Sequence, residues 1–443
     1  MMLKTTRDNQ RELKEHYKDI PKLTNKLVNQ TLTQLKNDHL FIFPEIIANA
    51  DGLTADQMVL RSINEDYQTS NLAGFIGYQD ERLIIQSRFE RSANNYFFQY
   101  LIERVFDMPN LMALNTEAQR DRLGFDLLAF LLPLYLKKAL RKGLFKTYGR
   151  RQYNDSNIRG TIDVARHIRQ NSPFIGNIAY NQREFSYENE VTLLIRHTIE
   201  FIRNKSYGKA VLGKISDEVA TIVVATKHYE DYDRRTIITK NKENPIRHAY
   251  YREYRSLQRL CLMILQFEKQ RIGGGSQQVQ GILFDCAWLW EEYINQLIGP
   301  WFYHPMNKSR VGGQYLFDRG GLIYPDFISR VQEQRIIADA KYKPQGNIGN
   351  QDYLQLVAYM ARFDAQQGYY IYPNHTDELV TPLHLRQGVT YEDNVSVRES
   401  VMIAKLGLKI PEVRAETDDA VGYQAFKEVM KKSEENFLTS FLK

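Results

Sequence analysis

Only two cysteines, Cys261 and Cys286, occur in 443 residues. Both fall in segments that read as helices, which excludes a disulfide framework and a thiolate zinc site and makes a reducing cytoplasm the expected setting. The N-terminus is polar and charged without an apolar signal core, so no export leader is expected. The most apolar run, FDLLAFLLPLYL at 125–136, is too short to cross a bilayer, carries Asp126 and Pro133, and ends on Lys137-Lys138; a buried helix is expected and no membrane. A phosphate-binding loop G-x-x-x-x-G-K-[ST] is missing: Gly208-Lys209 and Gly213-Lys214 are each followed by an apolar residue where the hydroxyl should stand. Any nucleotide-driven motor must therefore come from another chain. Internal repeats and low-complexity tracts are absent too.

What is present suits a globular protein of two or three domains: 43% hydrophobic and 25% charged residues, with a net charge of +6 that is compatible with nucleic acid without requiring it. Residues 1–40 read as a charged helical extension with Leu23, Leu27, Leu32 and Leu35 as spaced apolar contacts. Two strands, 72–78 and 82–89, are joined by the turn Gln79-Asp80-Glu81 and followed by an amphipathic helix near 95–107. Lysines and arginines are dense from Lys137 to Arg169, a surface for phosphates or for an acidic partner. A helix at 188–202 and a long one at 250–270 follow. Gly273-Gly274-Gly275-Ser276 is the clearest linker. The expected division is 1–150, an N-terminal extension with a small β-containing domain; 151–272, a largely helical middle region; and 277–443.

The chain is organised around Leu322-Ile323-Tyr324-Pro325-Asp326-Phe327-Ile328 and Arg335-Ile336-Ile337-Ala338-Asp339-Ala340-Lys341. Both read as strands, connected by a polar stretch that suits a hairpin. Asp339 and Lys341 are two apart and leave the same face of the sheet. Asp326 follows Pro325, where a strand can bend and aim a carboxylate at its neighbour. Two close carboxylates repel unless a cation lies between them, and hard oxygen ligands suit Mg²⁺, with Mn²⁺ as a substitute. Lys341 is placed to orient an attacking water or to stabilise transition-state charge. Lys343 shares its strand face and is an alternative for that role.

Residues 284–298 read as a helix whose stripe Phe284, Ala287, Trp288, Glu291, Ile294, Ile298 follows helical spacing. Glu291 interrupts that apolar face while Glu292 falls off it. A carboxylate facing a core is costly unless paired or on a metal, which makes Glu291 the candidate third acidic ligand. Downstream, 353–363 reads as a helix with Gln355 and Tyr359 four apart on one face. Residues 368–373 supply another strand, 383–411 further strands and 423–442 a terminal helix.

Asp326, Asp339 and Lys341 in this setting resemble the PD-(D/E)xK nuclease signature, and Gln355 with Tyr359 is similar to the Q-x-x-x-Y of its RecB-like branch, where the pair supports the site or contacts DNA. Asn157-Ile158-Arg159-Gly160-Thr161-Ile162-Asp163, continuing to Arg166 and Ile168, together with GFIGYQDERLIIQSRF at 74–89 and the nuclease order downstream, resembles the McrC family, the nuclease subunit of McrBC-type modification-dependent restriction systems. The resemblance runs from about 72 to 411. It implies an α/β and α+β multidomain protein with a partner-binding N-terminal half and a C-terminal restriction-endonuclease-like domain. It further implies Mg²⁺-dependent endonuclease activity on modified double-stranded DNA in phage defence. The implied partner is an McrB-like AAA+ GTPase hexamer whose hydrolysis this chain stimulates. A segment entering that ring is implied in the middle region, at 171–187 or 226–245. Two departures stand out: the extension before residue 40, and Trp290-Glu291-Glu292-Tyr293 where Phe-Glu is more usual. Other readings are a stand-alone or helicase-coupled repair nuclease, and a non-catalytic activator of the ring.

Overall fold

A computed structural model describes residues 2–35, 39–43, 56–91, 94–106, 120–205, 207–270, 279–305, 313–331, 334–388, 395–413 and 419–442. Its first residues correct the helical reading of 1–40. Met2–Arg7 is a strand, parallel to Glu81–Gln86 with Met2 opposite Glu81 and Arg7 opposite Gln86. In so short a polar segment intrinsic propensity decides little, and the open edge of Glu81–Gln86 supplies the backbone partners that a strand needs. Helical turns do follow at Pro21–Leu27 and Leu32–Leu35, the first opened by a proline at its first position. The four spaced leucines of the extension are buried in one core with Ile76, Leu83, Ile85 and Leu283.

The expected hairpin forms from Leu72–Tyr78 and Glu81–Gln86. It belongs to a five-stranded sheet in the order Met2–Arg7, Glu81–Gln86, Leu72–Tyr78, Gln280–Asp285, His39–Phe43. Gln280–Asp285 runs antiparallel to Leu72–Tyr78 and parallel to His39–Phe43. The two backbones approach closely at Gly281, whose φ is +156° and where a Cβ would stand 2.1 Å from the Phe75 carbonyl oxygen, so only glycine fits. This strand explains the grouping of the chain into two units, Met1–Gly124 with Gly275–Lys443, and Phe125–Gly274. Three successive segments do not emerge, because residues from beyond position 275 complete a sheet begun at the N-terminus. The glycine-rich stretch 273–276 lies outside the described residues.

A second, six-stranded sheet of the first unit has the order Phe302–Tyr303, Phe327–Ser329, Ile336–Ala340, Gln367–Asn374, Met402–Lys409, Val380–Leu383. The three strands from Ile336 to Lys409 are mutually parallel, and antiparallel strands flank them. Gln367–Asn374, QGYYIYPN, carries an aromatic and apolar stretch from Tyr369 to Pro373 and is buried almost throughout, as a strand covered on both faces must be. Successive residues there point to opposite faces. Tyr370 meets the helix Asn350–Phe363 through Tyr353, while Tyr369 meets Phe441 of the helix Asp419–Phe441. The sheet thus lies between these two helices.

The second unit carries a long antiparallel pair, Thr147–Asp155 with Ile178–Ser186, to which the short strand Thr161–Ile162 adds. Its helical part centres on Glu190–Arg203, started by a capping box in which the Asn189 side chain accepts from the backbone of Val191 and Thr192. The apolar run at 125–136 falls within the helix Arg120–Leu140, and Leu128, Leu131, Leu132 and Leu136 are buried there. Among the described residues no helix is long and apolar enough to cross a membrane.

Candidate active site: two aspartates and a lysine

Ile337, Asp339 and Lys341 alternate along Ile336–Ala340 and just beyond it, toward the face covered by Asn350–Phe363. Asp339 stands opposite Tyr370 in the parallel neighbour and is buried. The strand expected over 322–328 is broken. Gly320–Ile323 belongs to a separate two-stranded hairpin with Gln314–Phe317, and Phe327–Ser329 alone joins the six-stranded sheet. Tyr324, Pro325 and Asp326 bridge the two. Pro325 lacks the N–H that a continuous ladder would need, so the break falls where the proline is.

That break delivers Asp326. Phe327 pairs with Ala338 across the antiparallel register, which brings the preceding residue opposite Asp339. The Ala340 N–H donates to Asp326 Oδ2 at 2.9 Å. The two carboxyl groups are in hydrogen-bond contact, and both are raised. Burial pushes Asp339 up to about 7, aided by the charge of Asp326 and opposed by Lys341. Burial also pushes Asp326 up to about 6, with Glu291 adding to the rise and Lys341 and the Ala340 amide holding it back. Two neighbouring buried carboxyls resist ionising together, and a cation between them relieves that repulsion.

Lys341 Nζ lies 2.6 Å from Asp339 Oδ2 and donates to Gln355 Oε1 at 3.1 Å. Burial disfavours its charge, but Asp339 and Asp326 more than compensate and hold it firmly protonated. Gln355 in turn donates to Tyr359 Oη at 2.7 Å, and Tyr359 donates to the Tyr324 carbonyl at 3.2 Å. The two helix residues singled out by their four-residue spacing therefore link the lysine to the chain segment carrying Asp326. Lys343 is engaged elsewhere: its ammonium donates to both oxygens of Asp352, at 2.9 and 2.8 Å.

Glu291 sits on the helix Cys286–Ile298, which starts later than expected. Phe284 and Asp285 end the preceding strand, and Asp285 caps the helix by accepting from the amides of Ala287 and Trp288. The buried face is Cys286, Leu289, Trp290, Tyr293, Ile294, Leu297 and Ile298, so Ile294 and Ile298 of the expected stripe are buried while Ala287 and Trp288 are only partly so. The face is rotated because the apolar side chains of Leu289, Trp290, Tyr293 and Leu297, outside the expected stripe, are the ones packed inward. Glu291 lies at its margin, raises Asp326 through its charge, and has Oε1 3.7 Å from His304 Nε2; Glu292 Oε1 is equally 3.7 Å away. Burial works against a charge on His304, yet Glu292, the Asp326 carbonyl and Glu291 outweigh it and lift the imidazole to about 9. His304 Nδ1 donates to that carbonyl at 2.8 Å and its ring stacks on Phe327 at 4.9 Å. Neither His304 nor Asp352 belongs to a sequence pattern that marks it, and only the packing brings them in.

The donor set at this point is hard oxygen. Asp339 Oδ2 is buried and, its ion pair with Lys341 apart, accepts no directed hydrogen bond. Among the described residues no three His, Cys, Asp or Glu side chains converge at metal-ligand spacing. The expected set of three carboxylates is thus not brought together: Asp326 and Asp339 adjoin and offer hard oxygen that suits a dication, while Glu291 acts on Asp326 only through its charge.

In the second unit the Arg-Gly motif has a structural account. A Cβ on Gly160 would lie 2.2 Å from the Asn181 carbonyl oxygen. Asp163 caps Val164–Gln170 by accepting from the Arg166 amide, and the Arg166 guanidinium donates to the carbonyls of Tyr153 and Tyr180. Arg151 is paired with Glu188 at 2.6 Å. Of the two segments that the resemblance offered for entry into a ring, 171–187 contains the strand Ile178–Ser186 and 226–245 the helix Arg234–Glu243.

A family model described as "McrBC 5-methylcytosine restriction system component" matches residues 67–373, more than half of the chain. Comparison with curated proteins gives no match. Among solved structures the chain is similar to one described as "Refined half-complex from tetradecameric assembly of Thermococcus gammatolerans McrB AAA+ hexamers with bound McrC", at 15% identity over 97% of this chain and 100% of that one, with a TM-score of 0.46. A second, "Cryo-EM structure of the Thermococcus gammatolerans McrBC complex", is 13% identical over 67% of this chain and 87% of that one, with a TM-score of 0.31. With TM-scores this low, family membership rests on the match over residues 67–373.

Proposed function

The chain belongs to the McrBC family, and from that premise we propose that it is the nuclease subunit of such a restriction system, an McrC-like protein with a PD-(D/E)xK domain in its C-terminal third. The observation that carries this reading is the register that sets Asp326 across from Asp339, with the Lys341 ammonium 2.6 Å from Asp339. Asp326 and Asp339 would hold Mg²⁺ or Mn²⁺, with Glu291 as the neighbouring carboxylate. A bound ion supplies charge neutralisation at a scissile phosphate. Lys341, kept cationic and oriented by Gln355, stabilises charge on the phosphate and positions the attacking water. Tyr359 fixes Gln355 and, through the Tyr324 carbonyl, the approach to Asp326.

The absence of a phosphate-binding loop from this chain supports a motor supplied in trans. The partner proposed is an AAA+ hexamer acting as a GTPase, with this chain stimulating GTP hydrolysis and cutting modified double-stranded DNA. In the assay, Asp339→Ala abolishes cleavage of plasmid DNA in Mg²⁺, a loss on the order of 10²–10³-fold or more, while co-purification with the GTPase and stimulation of its hydrolysis persist. Equal cutting by the Asp339→Ala chain, with contaminating nuclease excluded, overturns the reading.

A further inference from the structure

Two ammonium groups approach one carboxylate at the edge of the proposed site. Asp352 stands in the first turn of Asn350–Phe363, is buried, and accepts from the Gly349 amide at 3.0 Å. Its backbone carbonyl accepts from Tyr370 at 2.9 Å, so the residue is held from both ends. Lys343 donates to both carboxylate oxygens, and Lys341 Nζ is 3.6 Å from Oδ1, the oxygen that Lys343 reaches at 2.9 Å. Burial alone would raise Asp352, but Lys343, the Gly349 amide and Lys341 outweigh it and hold the carboxyl below its ordinary value. It is a fixed anion between two cations.

Only one of those cations touches the aspartates. Lys341 and Lys343 flank the buried Tyr342, and the Lys343 amide donates to the Lys341 carbonyl at 2.9 Å, a tight bend that turns both long side chains toward the helix. A second ammonium loose at this point would be drawn to the same carboxylates, because opposite charges attract strongly where water is scarce. It would then compete with any dication for them. Asp352 stands where it prevents this.

We propose that Asp352 is a positioning residue that tethers Lys343 away from the Asp326–Asp339 pair and so leaves Lys341 as the one ammonium serving it. The inference rests on the nuclease reading for its functional consequence, but its physical content, the capture of Lys343, stands on the ion pair alone.

Two measurements on the full chain test it. The first is acylation of the metal-free protein by a succinimidyl ester, read residue by residue by mass spectrometry. Lys343 reacts slowly in the parent, and Asp352→Asn raises its rate by about tenfold, while Asp352→Glu restores protection. An unchanged Lys343 rate in Asp352→Asn overturns the tether. The second is Mn²⁺ binding by calorimetry. Asp352→Asn weakens it by about tenfold, the usual scale for a lost supporting contact at a metal site. Adding Lys343→Met to that variant restores binding to within about threefold of Lys343→Met alone, because the released ammonium is gone. A double variant that stays as weak as Asp352→Asn shows that Asp352 acts as scaffold or on Lys341, and overturns the proposal. A parent chain that fails to bind Mn²⁺ yet shows the protected Lys343 defeats the nuclease reading and leaves the tether standing.

Discussion

Burial raises both Asp326 and Asp339, and the sign of that shift gives a stability signature. A carboxyl with a raised folded-state pKa contributes stability that is fully present below its unfolded value near 4 and is lost as pH rises through about 6 for Asp326 and about 7 for Asp339. At about 1.4 kcal/mol per unit the loss is on the order of a few kcal/mol. Other groups titrate in the same range. His304, lifted to about 9, loses its contribution as pH rises from 6.5, and His197, depressed by burial to about 4, works with the opposite slope. The quantity to read is therefore the difference between parent and Asp339→Asn. Without metal, the parent's melting temperature relative to the variant falls between pH 5 and pH 8, and Mg²⁺ at pH 8 recovers it; a difference independent of pH would show that the pair is not coupled. At this scale the sequence was informative where a short motif carries the chemistry. Asp339 and Lys341 are two apart on one strand, and Gln355 and Tyr359 four apart on one helix, so local periodicity aligned each pair. His304 and Asp352 were not legible, since each earns its place by a neighbour distant in sequence or across a loop.

Elements show where local pattern loses to context. Met2–Arg7 became a strand because Glu81–Gln86 offered an edge, and the stretch 322–328 became two strands because Pro325 cannot continue a ladder. The helix Cys286–Ile298 begins two residues later than its apolar pattern suggested, and its buried face includes Leu289, Trp290 and Tyr293 instead of Ala287 and Trp288. The Arg-Gly motif of the second unit is an element-level feature as well. With the Asn181 carbonyl 2.2 Å from any Cβ at position 160, Gly160→Ala forces apart Thr161–Ile162 and Ile178–Ser186. The expected cost is about 1–3 kcal/mol, as for other overpacked sites. Hydrogen exchange should report it as faster exchange around Tyr180 and Asn181, with protection at Asp339 unchanged; equal loss across both units would contradict a local cause.

For the whole molecule the decisive feature is that the first unit is assembled from both ends of the sequence. Residues 277–443 by themselves would leave Gln280–Asp285 without either sheet partner. Trp290 and Tyr293 would lose the rings of Phe97 and Tyr100. Tyr342, next to Lys341, would lose Ser87 at 2.6 Å, Asp8 at 3.3 Å and the Arg88 guanidinium 4.9 Å from its ring. Asp8 itself is a buried carboxylate, raised by burial and held by Arg88 through an ion pair at 2.6 Å, so the N-terminal segment is anchored in the same place. A fragment comprising 277–443 is therefore expected to unfold in urea over a broad, shallow transition, whereas the full chain unfolds steeply. A fragment transition as steep and as late as that of the full chain would show that the C-terminal residues form a core of their own.

Strand alternation and helix spacing were sufficient to align Asp339 with Lys341 and Gln355 with Tyr359, because those patterns depend on chemistry within a few residues; that Asp339 lies on an inner strand of the six was not legible. Which lysine faces the aspartates, which histidine braces the segment bearing Asp326, and which strands complete each sheet were decided only when distant segments packed together. The energy that chooses among those alternatives comes from burial, register and ion pairing between residues up to hundreds of positions apart, and no local pattern encodes it.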